Sequence, residues 1–168
     1  MTFGTGAGPG ADWPSRLAAL SGWQISNAGI PGDTAEAARE RIAALLGEPL
    51  PALVIIEIGG NDFLKRRAPK AVKEDVRSII TRVRQAGVQV VLVAVPELSL
   101  LATIARKPAD SPIYAELSRE EGVPLVSDVF SDVLGKPALC TDQIHPNAEG
   151  YAVMAAGIFA RLRELGLA

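Results

Sequence analysis

Two apolar runs decide what this chain can fold into. Residues 53–58 read LVIIEI and residues 88–95 read VQVVLVAV. Both are rich in β-branched residues, and their hydrophobicity is continuous rather than alternating. That pattern marks strands covered on both faces, as in a parallel sheet. Between them Val72, Val76, Ile79, Ile80 and Val83 recur at helical spacing, with Lys73, Glu74, Arg77 and Arg84 on other faces. Strand, amphipathic helix, strand is a crossover unit, so the fold class is α/β with a mainly parallel sheet and helices on both faces.

The flanking segments extend the alternation. Residues 13–20 suit a short helix with Pro14 in its first turn, and residues 23–27 a short strand. A turn-rich loop, residues 27–34, follows. Asp33 with Glu36 resembles a capping box, and Ala35, Ala38, Ile42, Leu45 and Leu46 form one helical face. Gly47 and Pro49 stop that helix. Ser111-Pro112 opens another helix, running to Gly122. Residues 123–126 suit a last strand at a sheet edge, because Pro124 cannot donate to a ladder. Residues 128–134 suit a short helix. Asn147 caps a final helix with Met154, Ile158, Leu162 and Leu165 on its apolar face. Residues 97–110 are irregular, with a short helical piece expected. The glycine-rich start, MTFGTGAGPG, does not fit a dinucleotide fingerprint and reads as a flexible surface loop. Lys65-Arg66-Arg67 reads as a solvated loop. Glu57 interrupts its strand and is expected to be a charge-paired carboxylate at the sheet end.

The 168 residues suit a single domain, residues 1–168, with one sizeable core. A net charge of -2 gives no electrostatic case for nucleic acid or an anionic membrane. No apolar run is long enough for a membrane span. One histidine and one cysteine, Cys140, cannot make a zinc site at normal ligand spacing, so no metal is expected. The first residues show neither the basic start nor the apolar core of a secretory leader.

The chemistry-bearing residues follow strands, where α/β sheets gather their functional groups. His145, the only histidine, lies in Asp142-Gln143-Ile144-His145-Pro146-Asn147. Read alone, it is either an acid–base group or a surface histidine with Asp142 as a local cap. Asn61, in Gly59-Gly60-Asn61-Asp62, is otherwise a turn residue, and Gly32 a backbone-strain glycine.

Together, and in this order, these three blocks resemble the SGNH, or GDSL, hydrolases, in particular the small arylesterases and bacterial thioesterase/lysophospholipases. The resemblance implies a three-layer α/β/α sandwich with a flavodoxin-like sheet. It implies His145 as base, Asp142 as its orienting acid, and the Gly32 N–H with the Asn61 amide as oxyanion donors. The implied substrate is a small acyl ester or thioester, with no cofactor. Carbohydrate deacetylation is a further activity of the family, although no aromatic-rich loop singles out a sugar platform here.

The family's first block, a strand followed by Gly-Asp-Ser-Leu, is only partly matched. Met1 takes the leucine position and Thr2 the position after it. The nucleophilic serine is therefore expected just before Met1, on a chain that starts earlier and whose leader and compartment (cytoplasm or periplasm) stay open. The absent first strand would lie between residues 23–27 and 53–58, so the domain as given is expected to be unstable or to borrow a strand. Ser26 and Ser127 lack the glycine-flanked turn of an exposed nucleophile, and Thr2 is displaced by two positions. The chain as given is expected to be inactive, or to act as a binding module that keeps the cleft without turnover. Phe63, Leu64, Leu100, Leu101 and Ile104 are candidates for an acyl groove or for ordinary packing.

Overall fold

The protein was analysed as a computed structural model, which describes residues 1–97 and 108–168. Three strands, β1 (Leu53–Ile56), β2 (Gln89–Val93) and β3 (Leu125–Val126), form a parallel sheet in the order β1-β2-β3. Leu53 pairs with Gln89 and Ile56 with Leu92, and Val93 pairs with Val126. The helices are α1 (Trp13–Ser21), α2 (Ala35–Leu45), α3 (Gly60–Leu64), α4 (Pro69–Gln85), α5 (Pro112–Glu121), α6 (Val129–Leu134) and α7 (Ala148–Glu164).

The strand period of two divides the core. Val90 and Leu92 pack on one face with α2, α4 and α5, while Val91 and Val93 pack on the other with α1, α6 and α7. The result is a three-layer α/β/α sandwich. The stripe expected on α4 is buried throughout, from Val72 to Val83. On α7, Met154, Ile158 and Leu162 are buried, but Leu165 caps the helix and is 40% exposed.

The helix ends follow local chemistry. Asp12 accepts from the Ser15 N–H at 2.9 Å and starts α1. Asn147 accepts from the Gly150 N–H at 2.9 Å and starts α7. The cap of α2 differs from expectation. Thr34 occupies it, accepting from the Ala37 N–H at 3.3 Å, because the Asp33 carboxylate is taken by Arg41 at 2.6 Å.

Two further expectations are corrected. Residues 23–27 form no strand. They run without helix or ladder and alternate half-buried Trp23 and Ile25 with exposed Gln24 and Ser26, as a strand would. Among the described residues they have no strand neighbour: β1 pairs there only with β2, and a trough of about 880 Å³ lined by residues 23–26 and 53–58 lies beside it. The glycine-rich start is anchored rather than loose. Gly4 N–H donates to Met1 C=O at 2.7 Å, Ala7 N–H to Gly4 C=O at 3.0 Å and Tyr151 Oη–H to Thr5 C=O at 2.8 Å. The helical piece expected within residues 97–110 falls largely on 98–107, outside the described residues.

Ile158→Ala removes a fully buried side chain between α7 and the sheet. It is expected to cost about 2–5 kcal/mol in urea unfolding, while Leu165→Ala is expected to cost well under half of that.

Candidate active site

Asn61 follows the end of β1, Asp142 and His145 follow a short 3₁₀ turn, and Gly32 lies in the loop before α2. The loop after the short 3₁₀ turn Pro137–Leu139 carries Asp142 and His145. It is closed by Thr141 N–H donating to His145 C=O at 2.9 Å and by Asn147 N–H donating to Leu139 C=O at 2.9 Å. Asp142 folds the loop onto itself. Its Oδ1 accepts from the Ile144 and His145 backbone N–H groups, each at 2.8 Å, and its Oδ2 lies 2.8 Å from His145 Nδ1. The carboxylate therefore accepts a hydrogen bond from Nδ1–H and fixes the tautomer, which leaves Nε2 as the unprotonated nitrogen of the neutral ring. Among the described residues Nε2 has no hydrogen-bond partner. Burial pushes the Asp142 carboxyl up, but the bonds from the His145 ring and the Ile144 and His145 N–H groups outweigh it. The net effect holds the carboxyl below its ordinary value.

Asn61 and Gly32 are brought together on the other side. Asn61 stands in the first turn of α3, directly after β1 and the Ile58-Gly59 corner, where Tyr114 Oη–H donates to Ile58 C=O at 2.6 Å. One Asn61 amide proton goes to Asp33 C=O at 2.9 Å; the Nδ2 group carries a second. Gly32, one residue before Asp33, has φ +78°, a conformation that glycine adopts without strain. No atom lies within 4 Å of where a Gly32 Cβ would be, so the backbone there faces open space.

A buried ionic group not foreseen from the sequence holds this half. Asp62 is 0% exposed. Its Oδ2 accepts the Ala35 N–H of α2 at 2.9 Å, and its Oδ1 lies 3.0 Å from Arg67 Nη1. The same Arg67 nitrogen reaches Asp75 on α4 at 2.6 Å, and Arg39 on α2 meets Asp75 at 2.8 Å. The Asp62 carboxylate, followed by Asp75, holds Arg67 above its ordinary range against the cost of burial. Of the basic triplet read as a solvated loop, Lys65 and Arg66 are exposed, but Arg67 is committed to these carboxylates. A signal was present in the adjacency of Asp62 to Asn61 and in Arg67 five residues on. What periodicity cannot reveal is burial within a helix of only five residues.

Residues 1–7 run between the two halves. Thr141 Oγ1–H donates to Gly6 C=O at 2.8 Å, and a Cβ on Gly6 would lie 3.2 Å from His145 Cβ and 2.7 Å from Pro146 O. At the other end Asn27 Nδ2 donates to Thr2 C=O at 2.7 Å. Among the described residues Glu57 meets no cation, contrary to expectation. Its Oε2 accepts from the Thr2 hydroxyl at 2.5 Å and from the Trp13 indole N–H at 2.8 Å. Thr2 is thus bonded to a carboxylate rather than to His145. Phe63, one candidate for an acyl groove, is buried in the core, and Leu64 is exposed. Leu100, Leu101 and Ile104 lie outside the described residues.

The Asp142–His145 pair thus stands on a loop of a three-layer α/β/α sandwich. The chain belongs to the GDSL-like lipase/acylhydrolase family, which matches residues 1–153; by family it is a carboxylic ester hydrolase. It is 33% identical over 162 residues, 92% of this chain and 76% of the relative, to thioesterase 1/protease 1/lysophospholipase L1 of Escherichia coli. It is 30% identical over 145 residues to an arylesterase of Vibrio mimicus, covering 82% of this chain and 71% of the relative. The crystal structure of TesA superposes with a TM-score of 0.81 at 28% identity, covering 96% of this chain and 92% of that one. Among the described residues no helix is long and apolar enough to cross a membrane.

Two measurements check the electrostatics. Arg67→Met leaves Asp62 buried without its cation and is expected to cost about 3 kcal/mol in urea unfolding at pH 7. Asp142, whose folded carboxyl titrates below its unfolded value of about 3.9, stabilises above that value and loses the contribution as pH falls through the folded one. Any stability difference between the native chain and Asp142→Asn is therefore expected to be present at pH 7 and to fade as pH falls through the folded value.

Proposed function

We infer that this chain supplies the base, its orienting acid and two oxyanion donors of an acyl-ester hydrolase working through a Ser-His-Asp mechanism. The serine hydroxyl would come from outside residues 1–168. The observation that supports this most is the His145–Asp142 pair, with Nδ1 held at 2.8 Å and Nε2 unpartnered among the described residues.

The chemistry follows from that tautomer. Nε2 takes the serine proton as the serine oxygen bonds to the carbonyl carbon of the ester or thioester. The carbonyl oxygen becomes an oxyanion, met by the Gly32 N–H and the second Asn61 amide proton. The tetrahedral species collapses, and His145 gives the proton to the departing alkoxide, phenolate or thiolate. Water then repeats the sequence on the acyl-serine, with Nε2 again as base, and releases the carboxylic acid. Asp142 stays ionised throughout and stabilises the imidazolium. The names of the relatives support small aryl esters, lysophospholipids and acyl thioesters as the substrate range. One observation favours a second reading, a binding module without turnover. Among the described residues no serine or threonine hydroxyl is bonded to His145, and that of Thr2 is held by Glu57.

The test compares p-nitrophenyl butyrate hydrolysis by the 168-residue chain and by a form extended at Met1 with an apolar strand and Gly-Asp-Ser. The extended form is expected to turn over and the given chain not to. In the extended form His145→Ala is expected to lose at least ~10³-fold in kcat and Asn61→Ala roughly 10²- to 10³-fold. Turnover that survives His145→Ala would sink the mechanism, and an inert extended form would favour the binding module.

A further inference from the structure

We propose that Tyr114 is a positioning residue for the Asn61 amide: its hydroxyl pins the glycine corner between β1 and α3 and so sets where the free Asn61 proton points. The use of that proton rests on the acyl-hydrolase reading; the geometry does not. Ile58-Gly59-Gly60-Asn61 turns through two consecutive glycines, whose own preferences leave the course of the chain open. Downstream, Asp62 fixes α3 through Arg67 and the Ala35 N–H. Upstream, Tyr114 Oη–H holds the Ile58 carbonyl at 2.6 Å. Between them Gly59 has φ 120° and ψ -17°, a conformation rare for residues that carry a side chain. A Cβ there would run into the Tyr114 hydroxyl. Glycine and phenol are thus fitted to each other: the space a side chain would need is taken by the donor.

The support for that donor is fixed on two sides. Tyr114 is 1% exposed. Its helix, α5, begins where Ser111 N–H donates to Val95 C=O at 3.0 Å, just past β2. It is fastened to α4 by Lys73, which lies 2.6 Å from Glu116 and 2.9 Å from Glu120. Burial, followed by the Glu57, Asp62 and Asp110 carboxylates, raises the phenol well above its ordinary value, so it stays a donor at neutral and mildly alkaline pH. Without that donor the Ile58–Gly59 peptide is free to rotate, because glycine adopts either sign of φ. Rotation there swings the first turn of α3, where Asn61 stands. The 2.9 Å bond from Asn61 Nδ2 to Asp33 C=O, which aims the second amide proton, is then lost. A hydroxyl that only satisfied a buried carbonyl would have no such reach.

The test reads water exchange of the Asn61 side-chain amide by NMR in the 168-residue chain. Tyr114→Phe keeps the ring and removes the hydroxyl. Ser118→Ala, on the same helix, removes a comparable bond away from the site, Ser118 Oγ–H to Val123 C=O at 2.7 Å. Exchange is expected to quicken about fivefold in Tyr114→Phe and to stay within about twofold of native in Ser118→Ala. Native exchange in Tyr114→Phe would overturn the proposal, as would an equal effect of Ser118→Ala, which would mean only a loosened helix. Should Tyr114→Phe fail to fold, the native chain decides: the Tyr114 hydroxyl proton is expected to show a nuclear Overhauser contact to Gly59 Hα, and its absence would overturn the proposal. In the serine-bearing extended form, Tyr114→Phe is expected to lower kcat about tenfold at nearly unchanged KM. A loss confined to KM would count against positioning of the oxyanion donor. An extended form that is inert with Tyr114 in place would count against the catalytic reading instead, and amide exchange would still decide the role of Tyr114.

Discussion

The Asp62 carboxylate is the interaction on which the Asn61 and Gly32 half of the site depends. It is wholly buried, so it needs a cation and hydrogen-bond donors to remain charged. Arg67 and the Ala35 N–H provide them. In doing so they bind three elements into one body: α3 through Asp62 itself, α2 through its first amide, and α4 through Asp75. Because Asp62 follows Asn61 in sequence, and Ala35 lies two residues from Asp33, the same pairing sets the distance across which Asn61 reaches the Asp33 carbonyl. A buried ion group of this kind is poor evidence of net stability. Its consequence here is geometric: the donor groups cannot drift apart without stranding a charge.

The other half is held differently. Asp142 and His145 share one short loop and bond each other within three residues, so their geometry is almost entirely local. This half leans on the body through Gly6 and Pro146, and through Tyr151, whose hydroxyl ties residues 1–7 to α7. The start of the chain is thus a connector between a local pair and a network built from three helices.

What the sequence made legible divides along the same line. The α4 stripe, the α7 face and the two apolar runs were readable because their periodicity survives any tertiary arrangement. The Asp142–His145 pairing was readable because it is local. Expectations failed where the outcome depends on a partner that the local pattern does not name. Residues 23–27 carry the alternation of a strand but have no partner to ladder with among the described residues. Among the described residues Glu57 meets an indole and a hydroxyl from residues 44 and 55 positions away rather than a cation. Asp33 yields the α2 cap to Thr34 because Arg41 claims its carboxylate. Each is a competition settled by packing, which a local pattern cannot contain.

An unpaired edge at β1 should disturb every group that relied on a neighbour there for position. Yet the Asp142–His145 loop is closed by its own backbone bonds, and Asn61 and the residues around Gly32 are fixed by the buried carboxylate. Neither uses the outer edge of β1. The two halves hold their geometry with the trough open. The residues around Glu57 do border the trough, and there a carboxylate gathers Thr2 and Trp13, tying the chain's start to the end of β1. The open edge thus leaves apolar surface and main-chain groups uncovered beside β1, while Asp142, His145, Asn61 and Gly32 keep their places around it.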